Sequence, residues 1–151
     1  MTTIAYRDGV MAADSGSWTG GTVHRWASKL AVGPDGTLYG ACGDAAECNA
    51  YLKWVNGGCC GESPKPRHLA DRASFTVLIA PRGAPIRLLV ASGEEIFDAP
   101  YMAIGGGSDA AMGALFVGAS AQHAIQAAIE HTDYAHGDVN IVCHPTKGDH
   151  Q

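Results

Sequence analysis

Residues 1–16 read MTTIAYRDGVMAADSG, and they carry the strongest structural signal in the chain. Two short apolar runs, TTIAY at residues 2–6 and VMAAD at residues 10–14, flank the tripeptide RDG. Gly9 in that tripeptide can adopt the positive φ that a tight turn requires. The pattern therefore predicts a β-hairpin at the start of the sequence.

Thr2 adds a chemical possibility to this hairpin, because threonine is small enough to permit removal of the initiator methionine before it. A free Thr2 would carry a hydroxyl and an α-amine on one residue. That pair can act as nucleophile and base without any other catalytic side chain. Many proteins begin Met-Thr, so the rest of the chain has to decide between an ordinary second residue and a nucleophile.

Composition restricts the class of protein. With 151 residues, 46% of them hydrophobic and 17% charged, the chain is expected to form one globular domain over residues 1–151. A net charge of −5 without a run of lysine or arginine argues against nucleic acid and anionic membranes as partners. No signal peptide or bilayer-spanning segment is visible. Five cysteines, with Cys59 and Cys60 adjacent, favour a reducing compartment, and the cytoplasm is the predicted location.

Two more hairpins and a last strand are predicted from apolar runs bounded by turn residues. The runs are KLAV at 29–32, LYGAC at 38–42, FTVLIA at 75–80, IRLLVA at 86–91 and DVNIVCH at 138–144.

Helices are predicted over residues 44–55 and 108–131. The first begins at the capping residue Asp44 and places Ala46, Tyr51 and Val55 near one stripe. The second is expected to begin with Ser108 as its N-cap and to be divided in two at Gly118. Residues 56–73 are predicted to form a loop. This order of elements favours an α+β fold, with helices packed on antiparallel sheets, over a doubly wound parallel one.

A threonine nucleophile makes specific demands on its surroundings. Its hydroxyl needs a base, and the free α-amine titrates at about 7.7–8.0 in peptides. A cation would keep that amine deprotonated, a carboxylate would hold the cation, and a backbone N–H at a glycine turn would receive the oxyanion. Lys29 is the candidate for the cation, Asp14 for the carboxylate and Gly43 for the glycine that supplies the N–H.

These stretches resemble the proteasome β-subunit and HslV family of N-terminal nucleophile hydrolases. The similar segments are the Thr2-Thr3 start, GVMAADSG, SKLAV, YGACGDAAEC, MAIGGGSDAAMGAL and HTDYAHGDVNIV, in the family's order. The resemblance implies a four-layer α-β-β-α sandwich with one helical layer reduced, since the family's second long helix, expected between Val55 and Phe75, is missing. It also implies peptide-bond hydrolysis through an acyl-enzyme ester on Thr2.

The family's functional positions are carried over residue by residue. The resemblance implies Thr2 as nucleophile, Asp14 as the carboxylate that holds the lysine, Lys29 as the tuning lysine and Gly43 as the oxyanion glycine. Two further positions complete the set of candidates, with Asp133 near the amine and Ser108 near the turn before the third helix.

This sequence also departs from the family's pattern. The family's supporting serine aligns with Gly106, so Ser108, two residues later, either compensates for it or only caps a helix. His136 stands where proteasomes keep a second serine. The missing second helix puts the docking surface for an ATP-dependent unfoldase partner in question.

Each candidate also has a structural interpretation. Asp14 and Asp133 could be turn residues. Lys29 could be a solvated lysine at a strand edge, and Gly43 could be only the kink before the first helix.

Metal and phosphate sites are weaker alternatives. His131, His136, Cys143 and His144 lack paired zinc-ligand spacing, so free buried cysteines and surface histidines are expected. The glycines at 105–107 lack the lysine of a phosphate-binding loop. No cofactor and no metal are predicted.

The sequence thus predicts a threonine-type peptidase subunit that acts on peptides or unfolded proteins inside a self-compartmentalised homo-oligomeric ring. Two alternatives remain open at this point. One is a catalytically silent, ring-forming structural protein, and the other is an amidase of the same nucleophile class acting on a small molecule.

Overall fold

The computed structural model describes residues 1–146, so residues 147–151 of the predicted domain lie outside the described part. The elements found there are β1 (Thr3–Arg7), β2 (Val10–Asp14), β3 (Ser17–Thr19), β4 (Thr22–His24), β5 (Leu30–Val32), β6 (Leu38–Gly43), α1 (Ala45–Asn56), β7 (Phe75–Ala80), β8 (Ile86–Val90), β9 (Gly93–Phe97), β10 (Tyr101–Gly105), α2 (Ser108–Phe116), α3 (Ala121–His131) and β11 (Val139–Cys143).

The first hairpin is confirmed, and it forms the centre of a four-stranded antiparallel sheet with the order β10-β1-β2-β11. Asp8 and Gly9 connect β1 to β2 with φ values of 50° and 78°, as in the two-residue turns that match the twist of a hairpin. Side chains alternate between the two faces of a strand. Ile4 and Met11 therefore lie on one face, and Ala5 and Ala12 lie on the other.

The second sheet has five strands in the order β5-β6-β7-β8-β9, all antiparallel. It contains the two other predicted hairpins. Its inner face packs against the first sheet, where Leu38 and Leu78 join Ile4, Met11 and Ile104 in one buried apolar cluster. This cluster fixes the distance between the sheets and brings the ends of β2, β5 and β6 toward the same region.

The helices pack on the outer faces of the sheets. Tyr51, Leu52 and Val55 of α1 contact Phe75 and Val77 of the five-stranded sheet. Leu115 of α2 and Ala124 and Ile125 of α3 pack against Ala5 and Ala12. The α+β class is therefore confirmed. Within residues 1–146, no helix has the length and apolar character needed to cross a membrane.

Several local predictions need correction. Ala46 is exposed, and the buried stripe of α1 consists of Cys48, Tyr51, Leu52 and Val55. Ser108 is the first helical residue, not the N-cap, and the capping position before it, Gly107, has no side-chain hydrogen bond. The break at Gly118 is confirmed, and Ser120 caps α3 by accepting a hydrogen bond from the His123 N–H.

Four strands were not predicted from the sequence. These are β3, β4, β9 and β10, which are short or poor in the β-branched residues typical of buried strands. The predicted loop over 56–73 is confirmed except at Asn56, which ends α1, since no helix lies between α1 and β7 in the described chain. The outer face of the five-stranded sheet consequently carries α1 alone among the described helices.

Candidate active site

Asp14 and Lys29 form a buried ion pair where β2 ends and β5 begins. The Lys29 ammonium lies 2.9 Å from Asp14 Oδ1, and the two side chains are 7% and 0% exposed. The Thr3 N–H also donates to Oδ1 at 2.9 Å, and the His136 N–H donates to Oδ2 at 3.0 Å. Both carboxylate oxygens are thus bonded. Asp14 is not a solvated turn residue, and Lys29 is not a solvated lysine at a strand edge.

Lys29 also contacts the beginning of the chain. Its ammonium donates to the Met1 carbonyl oxygen at 3.2 Å. That carbonyl belongs to the peptide group that contains the Thr2 nitrogen, which therefore lies no more than about 5.5 Å from the ammonium. Burial lowers the pKa of Lys29, and the attraction of Asp14 opposes this effect. The ammonium is therefore shared between Asp14 and the backbone at Thr2.

The α-amine of Met1 is affected by the same surroundings. Burial lowers its pKa below the ordinary value of 8.0, and the positive charge of Lys29 lowers it further. An amine in this part of the molecule consequently loses its proton more readily than one in water.

Three consecutive glycines hold residues 2 and 3 in place. The Gly106 N–H donates to the Thr2 carbonyl, and the Gly107 N–H donates to Thr3 Oγ1, both at 2.9 Å. Gly105 has a φ of 99°, and a Cβ on it would lie 1.9 Å from the Thr2 oxygen. Only glycine permits this approach. The glycines thus bind the backbone of the chain's own first strand.

Thr3 is a positioning residue that the sequence analysis did not single out. It is fully buried, its N–H reaches Asp14, and its hydroxyl accepts from Gly107. The available signal was a second threonine in a TTI start, where a hydrophobic residue would suit a buried strand.

Gly43 ends β6 with a φ of 127°, and a Cβ there would lie 2.6 Å from the Ser74 oxygen. The Asp44 N–H donates to the main-chain oxygen of Ser74, and the Ala41 N–H donates to the main-chain oxygen of Lys29. Because bonding directions alternate along antiparallel strands, the Gly43 N–H points away from β7, toward the side on which Lys29 pairs with Ala41. β5 begins only at Leu30, so this strand does not extend far enough to pair with the Gly43 N–H.

In the described chain, the side chains of two predicted site residues, Ser108 and Asp133, make no hydrogen bond to the group formed by Asp14, Lys29 and Thr3. Ser108 begins α2, and its hydroxyl makes no hydrogen bond within residues 1–146. Asp133 is exposed, and its carboxylate makes no bond in the same described part. Its main-chain oxygen lies 3.0 Å from His136 Nε2. His136 contributes its N–H to Asp14, and its ring packs edge-on against Trp18 with the centroids 4.8 Å apart.

Two cavities meet at Thr2 and Gly43, and both are also lined by Met1. We call the larger one the arginine groove; it has a volume of ≈ 670 Å³, and its other lining residues include Cys42, Asp44, Arg67, Leu69, Arg72 and Tyr134. We call the smaller one the alanine pocket; it has a volume of ≈ 220 Å³, and its lining residues include Ala27, Ala41, Ala45, Cys48 and Asn49.

The thiols beside these cavities are not activated. Burial raises the pKa of Cys42 to about 11 and that of Cys48 to about 12, so both stay protonated at neutral pH. Cys48 is buried, but Cys60 and Cys143 are exposed, so the expectation of buried cysteines holds only in part.

Among the described residues, no group of three or more His, Cys, Asp or Glu side chains is placed to hold a metal ion.

Comparisons with known proteins show the fold. No family model and no curated protein sequence matches the chain. Among solved structures, it is similar to Thiobacillus denitrificans BPH in complex with epoxomicin, with a TM-score of 0.67 and 20% identity over 96% of this chain and 99% of that one. It is also similar to eukaryotic HslV from Trypanosoma brucei, with a TM-score of 0.66 and 14% identity over 93% of this chain and 97% of that one. The fold is therefore proteasome/HslV-like.

Proposed function

We propose that this chain is a threonine-type peptidase subunit, in which Thr2 becomes the nucleophile once the bond that precedes it is cleaved. The observation that carries the proposal is the buried Asp14–Lys29 pair, whose ammonium also bonds to the Met1 carbonyl. A buried ion pair is in general weak evidence of stabilisation, because the cost of removing both charges from water offsets much of their attraction. Its position against the backbone at Thr2 supports a chemical role.

The proposed reaction uses the α-amine of Thr2 as general base. The Lys29 ammonium lies within about 5.5 Å of that nitrogen, and a positive charge at this distance disfavours the protonated form of an amine. The pKa of the neighbouring Met1 amine is lowered by burial first and by Lys29 second. The amine removes the hydroxyl proton while Oγ1 attacks the carbonyl carbon of the substrate. The Gly43 N–H is directed toward the developing oxyanion. The amine then protonates the leaving nitrogen, and water hydrolyses the ester on Thr2.

The neighbours of this chain among solved structures support the proposal. The Thiobacillus denitrificans BPH was solved in complex with epoxomicin, and we propose that Thr2 of this chain reacts with the same compound. HslV similarity supports a homo-oligomeric ring with peptides or unfolded proteins as substrates. The same similarity suggests an ATP-dependent unfoldase as a partner, and the lack of a helix between α1 and β7 in residues 1–146 puts its docking surface in question.

The finer architecture belongs to the same proposal. The helix-sheet-sheet-helix packing described above supports a four-layer sandwich with a reduced layer at α1, formed by one domain over residues 1–151. The free cysteines of the described chain support a reducing compartment, the cytoplasm. Thr2, Asp14, Lys29 and Gly43 are the proposed catalytic set. Ser108 and Asp133 join it only if substrate or assembly brings their side chains to the amine.

One observation favours a second candidate, a catalytically silent ring protein. Neither the Ser108 hydroxyl nor the Asp133 carboxylate makes a hydrogen bond within residues 1–146, so the proton relay around the amine is incomplete in a single subunit. A small-molecule amidase differs from both, since it would cleave small amides and leave peptides intact.

The test is covalent labelling followed by intact-mass measurement. Protein whose N-terminus is shown to be Thr2 is treated with epoxomicin, with the Thr2→Ala variant as the matched control. We expect one adduct per chain on wild type, none on the variant, and turnover of a fluorogenic peptide only by wild type. Turnover by the variant at the wild-type rate would refute Thr2 as nucleophile. Absence of labelling and turnover in both would favour the silent ring protein.

A further inference from the structure

The arginine groove extends from Thr2 to a turn between α1 and β7. This turn comprises residues 67–74, and two of its side chains, Arg67 and Arg72, line the groove that Thr2 also lines. The Leu69 N–H donates to the Arg72 carbonyl at 2.8 Å, and the Ser74 N–H donates to the Arg67 carbonyl at 2.9 Å. The backbone of both arginines is thus fixed by short-range hydrogen bonds.

The turn is anchored to the first turn of α1 by Glu47. Arg67 donates to Glu47 Oε1 from Nε at 2.9 Å and from Nη2 at 2.5 Å. The Ser74 hydroxyl donates to Glu47 Oε2 at 2.6 Å and accepts from the Arg67 N–H at 2.8 Å. The hydrogen bond from Ser74 has the larger effect and that from Arg67 the next; together they hold the pKa of Glu47 below its usual value, so this carboxylate stays ionised. Arg67 therefore already has its counter-ion.

Arg72 is in a different position. Its side chain is exposed, and its guanidinium makes no hydrogen bond or ion pair within residues 1–146. Asp44, the acidic residue along the same groove, accepts a hydrogen bond from the Glu47 N–H as the cap of α1. Arg72 is thus a groove-lining cation with no bonded carboxylate. Leu69 beside it is 39% exposed and offers apolar surface to a side-chain stem.

We propose that the arginine groove binds a substrate carboxylate through Arg72, so that the enzyme prefers peptides that carry a carboxylate close to the bond it cleaves. This inference rests on the proposed peptidase function. Guanidinium groups bind carboxylates with two parallel N–H···O bonds, which gives both affinity and orientation. The carboxylate is supplied either by a Glu or Asp side chain or by the C-terminus of a short peptide.

The experiment compares matched peptides. Each fluorogenic peptide is made with Glu or Gln near the scissile bond, and each of these as a C-terminal acid and as an amide. We expect kcat/KM to be about five- to tenfold higher for one carboxylate form than for its uncharged counterpart. Exposed and partly exposed charge-assisted hydrogen bonds have a strength that corresponds to this ratio. The Glu/Gln pair and the acid/amide pair separate the two sources of the carboxylate.

Three variants assign the effect to Arg72. Arg72→Ala should reduce the preference to about twofold or less, and Arg72→Lys should retain part of it, because lysine keeps the charge without the planar fork. Lys53→Ala changes the net charge equally on an exposed part of α1 outside the groove, and it should leave the preference unchanged. Equal rates for all peptides in wild type, or a preference that survives Arg72→Ala, would overturn the inference.

A binding measurement keeps this test separate from the catalytic one. The Thr2→Ala protein is titrated with the same peptides carrying a fluorophore, and anisotropy is followed at low and high salt. The inference is supported, even if wild type proves inactive, when the carboxylate form binds more tightly and this difference is lost in Thr2→Ala/Arg72→Ala. Equal binding of all peptides to Thr2→Ala and to Thr2→Ala/Arg72→Ala overturns it whether or not wild type cleaves peptides.

Discussion

Replacing Lys29 by methionine tests the ion pair on which the candidate site depends. Methionine has a similar length but no charge, so the change removes both the bond to Asp14 and the bond to the Met1 carbonyl. Asp14 is 0% exposed and keeps only the N–H groups of Thr3 and His136 as donors. An ionised carboxylate would then be buried without a counter-ion.

The expected loss is large. Removing one partner of a buried ion pair costs about 3–5 kcal/mol. A domain of this size has a total stability of about 5–15 kcal/mol, and about 1 kcal/mol shifts its melting temperature by about 2–4 °C. We therefore expect Lys29→Met to lower the melting temperature by about 10 °C and to abolish peptide turnover.

The assay is thermal unfolding for the melting temperature and urea unfolding for the free energy, both followed by circular dichroism at pH 7, with Lys53→Met as the control. Lys53 lies exposed on α1, so its replacement should change stability by no more than about 0.5 kcal/mol. Adding Asp14→Leu to Lys29→Met should not restore full stability, because it leaves the buried Thr3 N–H without its acceptor. If Lys29→Met were within 1 kcal/mol of wild type, or more stable, the description of a buried, mutually dependent pair would be refuted.

Three further predictions concern the backbone, the pH profile and assembly. Gly43→Ala should destabilise the protein by about 2 kcal/mol or more in thermal unfolding, because φ is 127° and Ser74 is too close, whereas Gly113→Ala, in an open position on α2, should be neutral or slightly stabilising. If the amine at residue 2 shares the lowered pKa of the Met1 amine, kcat/KM should fall only as the pH drops below that lowered value, and an acidic limb at or above pH 8.0 would contradict the assignment of the base. Phe116 is 78% exposed at the end of α2, so Phe116→Ser should release subunits from a ring; a wild-type mass near 15.6 kDa in light scattering, at all concentrations, would rule the ring out.

Local patterns explain why much of the fold was predictable. The RDG turn selects a short hairpin, the cap Asp44 begins α1, and the positive φ at Gly118 ends α2. Each of these depends on residues within a few positions of one another. The unpredicted strand β10 depends on a partner far along the chain, since it becomes a strand by pairing with β1. Pairing of this kind overrides weak local propensity.

The candidate site divides in the same way. The sequence proposed Thr2, Asp14, Lys29 and Gly43 as candidates, because each is the residue type that a threonine nucleophile requires. The polar residue in the TTI start was a signal for Thr3, but its two partners, Asp14 and the glycine turn, were not predictable, because that geometry depends on packing between distant strands.

By itself, the sequence determined the hairpin turns, the cap at Asp44 and the chemistry that residue 2 could perform, since these are properties of single residues and their near neighbours. Only the tertiary structure decided that Asp14 and Lys29 are buried together, that Ser108 begins its helix without capping it, and that the Asp133 carboxylate stays in solvent. The physical reason is that burial and hydrogen-bond partners are set by the packing of two sheets against each other. A charge on a short strand looks the same in the sequence whether that packing buries it or exposes it.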